Sequence, residues 1–178
     1  MQNVHPPVDY PLYLANKAVE TGQWLAVQHK YSQKVYARVA LADTKSIEKA
    51  IRAAVKAEAE MAKLQPFQKQ KILLHCVQRF QECRAELTEL LIIEGGKPKR
   101  AAAAEVERLI NTFQLAADAV TQMDQGRMMP LAVTAAACSY QGISKQVPIG
   151  AVSLISPFNF PLNLTAHKIA PAIAAGCP

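Results

Sequence analysis

The chain has no long apolar run, no paired-cysteine motif and few aromatic residues, and each absence closes a class of function. No stretch approaches the about 18 consecutive apolar residues that a membrane span needs, so no membrane partner is expected. The N-terminus, MQNVHPPVDYPLYL, lacks a basic segment followed by an apolar one, and no secretory leader is expected. The four cysteines, Cys76, Cys83, Cys138 and Cys177, include no C-x-x-C pair, and no histidine spacing completes a zinc set, so no metal is expected. Cys76 and Cys83 share a helical face with Leu73 and Phe80 and read as core thiols. Unpaired thiols fit a reducing cytoplasm. Aromatic residues make up 6% of the chain, and none interleaves with the basic residues. The 20 basic against 14 acidic residues give a net charge of +6. The excess is dispersed over Lys63, Lys69, Lys71, Arg79, Arg84, Lys97, Lys99 and Arg100, which fits solvated helix faces better than a nucleic-acid surface. There is no internal repeat.

What is present is apolar material in changing periods. With 51% hydrophobic and 19% charged residues, the chain is expected to build a globular core. Residues 1–23, with Pro6, Pro7 and Pro11, read as an irregular lead-in. Trp24 to Gln28 and Val35 to Leu41 are β-rich runs around a polar loop, a hairpin pattern. The period then becomes helical. Asp43 and Thr44 offer a cap, and Ile47, Ile51, Ala54, Met61 and Leu64 keep the spacing. Pro66 ends that helix and opens the next, whose stripe runs through Leu73, Val77, Phe80, Leu87 and Leu91. Residues 81–84 are a candidate break, and Gly95-Gly96 a stop. Pro98 starts another helix, with Val106, Leu109, Ile110, Phe113, Ala117, Val120 and Met123 on one face. The helical pattern stops at Gln125-Gly126. Residues 24–130 thus form a hairpin and helices, and 131–149 a two-stranded ribbon with its turn near Gln141-Gly142. So few large apolar residues make the ribbon better suited to pairing with another segment or subunit than to a core. In 150–178, Ala151 to Ile155 reads as a strand buried on both faces of a parallel sheet. A helix follows from about Leu162 to Ala175, closed by Gly176. The class is α/β.

The segment between that strand and that helix, Ser156-Pro157-Phe158-Asn159-Phe160-Pro161, carries the candidate chemistry. In open α/β sheets, ligands bind at the carboxyl ends of strands. Pro157 and Pro161 restrict the backbone on both sides of Asn159. A fixed, neutral amide donates a hydrogen bond without gaining or losing a proton, which suits an oxyanion developing on a carbonyl carbon. The structural alternative is an asparagine that caps the following helix or satisfies its own loop.

These residues resemble the aldehyde dehydrogenase superfamily. Its members show a P-x-G-V-x-x-I-x-P-W/F-N-F-P-L segment and then a helix reading K-I-A-P-A-L-A-A-G. This chain has Pro148-Ile149-Gly150-Ala151-Val152, Ile155, Pro157 to Leu162, and Lys168 to Gly176. Glu94-Gly95-Gly96-Lys97-Pro98 followed by Glu105-Val106 resembles the family's E-x-G-K-P…E-V segment. The resemblance spans roughly residue 24 to the end. It implies that residues 24–130 are the first part of a cofactor-binding domain whose Rossmann-like part starts with the strand-turn-helix of 150–178, a ribbon used for homo-oligomerisation, and oxidation of an aldehyde to a carboxylic acid with NAD or NADP. It also implies that Asn159 is the oxyanion donor and that Ile155, Ser156, Pro157 and Phe158 line the cofactor cleft. Phe158 replaces the commoner tryptophan, keeping an aromatic wall without the indole N–H. By the same resemblance, the dinucleotide loop, the general-base glutamate and the catalytic cysteine fall beyond Pro178, so this chain alone is expected to be inactive. Cys177 does not match the nucleophile and lies at the negative end of its helix, where a thiolate is disfavoured.

Other residues read either way. Lys168 is a family position or a helix-face lysine paired with a carboxylate, and His167 a packing or surface residue. Glu94, near a helix C-terminus, is expected to be structural, held by a backbone contact or an ion pair, with Lys97 or Arg100 as the candidate partners. Trp24 is expected to pack in the hairpin. An alternative to the enzyme reading is a short interaction module that pairs with a full-length homologous subunit.

Overall fold

The computed structural model describes residues 7–123 and 126–178. Pro6 and Gln125, named above, lie outside them. The lead-in is not irregular: short strands run between its prolines. β1 (Val8–Tyr10) lies between Pro7 and Pro11, and β2 (Leu12–Leu14) pairs antiparallel with β3 (Lys17–Val19). Proline has no N–H to give a ladder, so strands stop beside it. Ala15 and Asn16 join β2 to β3 with φ of 49° and 62°. Two left-handed residues give the turn whose twist suits a hairpin. Alanine is an unusual choice for the first of them, so the sequence does not advertise the turn.

The expected hairpin forms from β4 (Trp24–Gln28) and β5 (Val35–Ala40), and β1 adds in parallel on the other edge of β5. Asp9 takes two hydrogen bonds from Arg38, at 2.7 and 2.6 Å. The Arg38 guanidinium lies 5.8 Å from the Trp24 ring centre, so the single tryptophan is hairpin packing.

α1 (Thr44–Lys63) starts where Asp43 accepts from Ser46 N at 2.7 Å. α2 (Pro66–Glu82) has Pro66 in its first turn, and the chain breaks at Cys83 into α3 (Arg84–Gly95), as the sequence suggested. α4 (Lys99–Met123) is the central element, with α2, α3 and α5 (Pro161–Ala175) packed around it. Val106, Leu109, Phe113, Ala117 and Val120 of α4 are buried, and Phe113 meets Phe80 edge to face at 5.0 Å. α5 presents Ala166, Ala170 and Ala174 to this core, all buried. Small side chains at four-residue spacing let the two helices approach closely. α1 differs: no residue of it is buried, and Ile47, Ile51 and Val55 are exposed. No helix of the described residues is long and apolar enough to cross a membrane.

Two expectations are corrected. The ribbon exists, but its strands are β6 (Arg127–Pro130) and β7 (Gln141–Ser144). Gln141 and Gly142 lie in β7, opposite Pro130 and Met129, and the reversal is made by the preceding loop, which holds a 3-10 turn at Ala135–Ala137. Ala151 to Ile155 is not a strand, and Ser153, Leu154 and Ile155 are exposed. A strand exists only as a member of a ladder. Here a single backbone bond, from Val152 N to Pro178 O at 3.0 Å, joins the segment to another stretch of chain.

Candidate functional site

The turn before α5 is held at both ends and open in the middle. At its upstream end Glu58 of α1 accepts from Ala151 N at 3.0 Å. Gly150, at φ +103°, makes this approach possible, because a Cβ there would stand 3.1 Å from Glu58 Oε1. At the downstream end, Glu105 of α4 reaches the first turn of α5. Its Oε1 accepts from Leu162 N at 3.0 Å and Asn163 N at 3.3 Å, and its Oε2 pairs with Lys97 Nζ. Glu105 is wholly buried. Its charge is met by an ammonium and by the positive end of a helix, the two environments that make a buried carboxylate tolerable.

Between these anchors the candidate residues stand in the open. Ile155, Ser156, Pro157, Phe158 and Asn159 are all exposed, Ile155 at 84% and Phe158 at 94%. The only side-chain hydrogen bond of this stretch among the described residues runs from Ser156 Oγ to Pro157 O, at 3.4 Å. Asn159 does not cap α5. The cap position is Phe160, whose side chain makes no capping bond. The structure therefore brings Ile155 through Asn159 onto one uncommitted turn and leaves the Asn159 amide unengaged.

Phe160 is the hub beside it. Lys97 Nζ lies 4.1 Å from its ring centre and the Arg108 guanidinium 4.7 Å. Lys97 is committed to Glu105, whereas Arg108 is exposed and has no acidic partner among the described residues. Phe158 borders an apolar cavity of about 260 Å³ formed with Leu87, Leu90, Leu91 and Leu162. A larger cavity, about 670 Å³, lies at the opposite end of α5 around Met61, Lys69, Pro148 and Gly176, and contains none of the candidate residues. Asn163 Oδ1 is buried with no hydrogen-bond partner among the described residues.

The remaining candidates separate. Lys97 pairs with Glu105, so the expectation that it holds Glu94 is corrected. Burial pushes the Glu94 carboxyl above its ordinary range, and the charge of Lys30 opposes this in part. Lys168 is half-buried with no ion pair among the described residues, and His167 is exposed. Cys76 and Cys83 are half-buried, Cys138 exposed and Cys177 buried. Burial raises the Cys76 thiol, as expected for a packing cysteine rather than a nucleophile. No three His, Cys, Asp or Glu side chains converge among the described residues. Glu105 is the residue whose importance sequence reasoning missed. The signal was available: α5 lacks a Ser, Thr, Asp or Asn at its cap position, so its first amides needed a distant acceptor.

An exposed asparagine amide is a neutral donor of the chemical type that can hydrogen-bond a carbonyl oxygen. The chain belongs to the aldehyde dehydrogenase family, which matches residues 17–178. It is 36% identical over 160 residues to a lactaldehyde dehydrogenase of Methanocaldococcus jannaschii, covering 87% of this chain and 33% of that protein. Among solved structures it resembles aldehyde dehydrogenase 21 from Physcomitrella patens in complex with the reaction product succinate, at TM-score 0.94 and 43% identity, over 98% of this chain and 36% of that one. It also resembles glyceraldehyde-3-phosphate dehydrogenase of Methanocaldococcus jannaschii complexed with NADP, at TM-score 0.78 and 36% identity, over 86% and 32%. The chain spans about a third of the length of these relatives.

Proposed function

We propose that this chain is the N-terminal part of a cytoplasmic NAD(P)-dependent aldehyde dehydrogenase and supplies the oxyanion donor of its active site. The observation that carries the reading is the Asn159 amide, open to solvent on a turn anchored by Glu58 and Glu105. NAD or NADP, when bound, accepts the hydride. The residues present fit such a group: Ile155 and Phe158 are exposed apolar side chains on the same turn as Ser156 and Pro157, and apolar surface of this kind suits the flat face of a ring. Asn159 donates to the aldehyde oxygen as negative charge gathers there, and it does so without a change in protonation. The nucleophile and the general base come from the rest of the protein.

Arg108 extends the reading to the substrate. Its guanidinium is stacked on Phe160, next to Asn159 in sequence, with its hydrogen-bonding edge unspent among the described residues. A carboxylate or phosphate matches that edge in two places at once. The preferred aldehyde therefore carries an acid group, as does the product named for the Physcomitrella relative. The ribbon β6–β7, with Met128, Met129 and Ile143 exposed, suits contact between copies of the protein. That contact also supports a second reading, in which the chain pairs as a short module with a full-length homologous subunit.

The test is aldehyde-dependent reduction of NAD and of NADP by the intact protein. Succinate semialdehyde and glyceraldehyde 3-phosphate are compared with an uncharged aldehyde. We expect turnover, a preference for the acid-bearing aldehydes, and a KM for them that rises about tenfold or more in Arg108→Met while the uncharged aldehyde is unaffected. No reduction with any aldehyde contradicts the enzyme reading. Co-purification with a longer homologous subunit then supports the module.

A further inference from the structure

α5 begins without a cap of its own. Phe160 offers its backbone no acceptor, and Pro161, at the first helical position, has no N–H. The next two amides, of Leu162 and Asn163, are the ones that need a partner. Glu105 provides it from α4, more than fifty positions earlier, with a single oxygen. Its second oxygen holds Lys97, whose side chain is 15% exposed. Lys97 in turn lies over the Phe160 ring. The two side chains therefore grip the chain on both sides of Pro161: Phe160 by its ring, Leu162 and Asn163 by their amides. Asn159 is the residue immediately before this grip.

We propose that Glu105, steadied by Lys97, is a positioning residue for the Asn159 amide. This rests on the reading of Asn159 as oxyanion donor. Glu105 touches neither substrate nor cofactor. It fixes the start and direction of α5, and the proline-bounded turn transmits that direction to the side chain one residue upstream. The negative charge matters as well as the shape. A glutamine at 105 keeps an acceptor oxygen, but it loses the attraction to the helix end and leaves the Lys97 ammonium without a counter-charge. A donor held to within a fraction of an ångström is what oxyanion stabilisation requires, because the gain depends on the donor being in place before charge develops.

The experiment uses the intact protein with Glu105→Gln and Lys97→Met, each alone and combined with Asn159→Ala. It reads amide hydrogen exchange as well as kinetics. In Glu105→Gln, protection of the Leu162 and Asn163 amides is expected to fall about tenfold or more while the α2 and α4 core amides keep theirs. kcat is expected to fall about 10- to 100-fold with KM nearly unchanged, as for a misplaced transition-state contact. On the Asn159→Ala background the same substitution is expected to cost less than about twofold more, because the group it positions is gone. Lys97→Met keeps the Glu105 bonds to α5 and is expected to show the same pattern at smaller size, and it carries the test if Glu105→Gln does not fold. Unchanged protection at Leu162 and Asn163 in a folded variant overturns the positioning role, and so does a kcat loss that persists in full on the Asn159→Ala background. If Asn159→Ala alone leaves kcat unchanged, the functional reading falls and the positioning role falls with it. The exchange data separate that outcome from a failure of Glu105 to hold the helix.

Discussion

α5 and the turn that leads into it are neighbours in sequence and opposites in construction. α5 sets Ala166, Ala170 and Ala174 against α4 and has its first amides taken by a buried carboxylate. The turn keeps Ile155 and Phe158 largely in solvent and, among the described residues, holds itself with a single side-chain hydrogen bond. Two large apolar side chains left in water forgo the about 1.5 to 3 kcal/mol that burying each is worth. The contrast is one of commitment: the helix and its anchors are packed and hydrogen-bonded within the described residues, and the turn leaves its side chains exposed there. The same division separates α4, which buries one whole face, from α1, which buries no residue.

The sharpest way to break this comparison is to truncate the same residue type on each side. Phe113→Ala, in the core against Phe80, is expected to cost about 3 to 5 kcal/mol, read as a lowered denaturation midpoint. Phe158→Ala is expected to stay within about 0.5 kcal/mol, because its ring has little to lose. If the two substitutions cost the same, the turn is not the uncommitted surface described above. Next in size is Gly176→Ala. Gly176 closes α5 at φ +85°, and a Cβ there would stand 3.2 Å from Pro148 Cγ. The left-handed conformation alone is expected to cost about 1 to 2 kcal/mol in the same assay.

Two smaller effects are pH-dependent and opposite in sign. Hydrogen bonds from Ser46, side chain first and then backbone, lower the Asp43 carboxyl below its ordinary value. Stability from this cap is therefore complete above the unfolded-state value and is lost as pH falls through the lower folded one. Denaturation midpoints measured against pH should show this acid loss in the native chain, and Asp43→Asn should flatten it. Glu94 runs the other way. Its raised carboxyl means that the folded state binds the proton more tightly, so stability falls as pH rises from the ordinary glutamate range, about pH 4 to 5, through the folded value. Glu94→Gln is expected to stabilise slightly at neutral pH and to make no difference well below pH 4. The gain is small because the carboxyl is only partly withdrawn from water and solvent screens the charge. A neutral-pH loss in Glu94→Gln would mean that an ion pair holds it after all.

The helical half of the fold was legible because its signals are local. Asp43, Pro66, Cys83, Gly96 and Gly176 begin or end elements where the spacing of apolar residues changes, and the structure follows them. The strands were read less well, because strand identity depends on a partner. β1 was hidden by its flanking prolines and needs β5 to exist, β6 falls between the end of the helical pattern and the segment read as ribbon, and Ala151 to Ile155 has the composition of a strand without a ladder to join. Asn159 and its neighbours are singled out by the motif they form, and the structure places them on one exposed turn. Glu105 was visible only as part of a resemblance, since a contact between α4 and the start of α5 leaves no local trace other than the missing cap.

The measurement that tests the account most directly is the steady-state kinetics of Asn159→Ala in the intact protein, with the aldehyde it turns over best. The account predicts a kcat lower by about 100- to 1,000-fold with KM little changed, the signature of a donor that acts in the transition state. A kcat equal to that of the unmodified protein contradicts it.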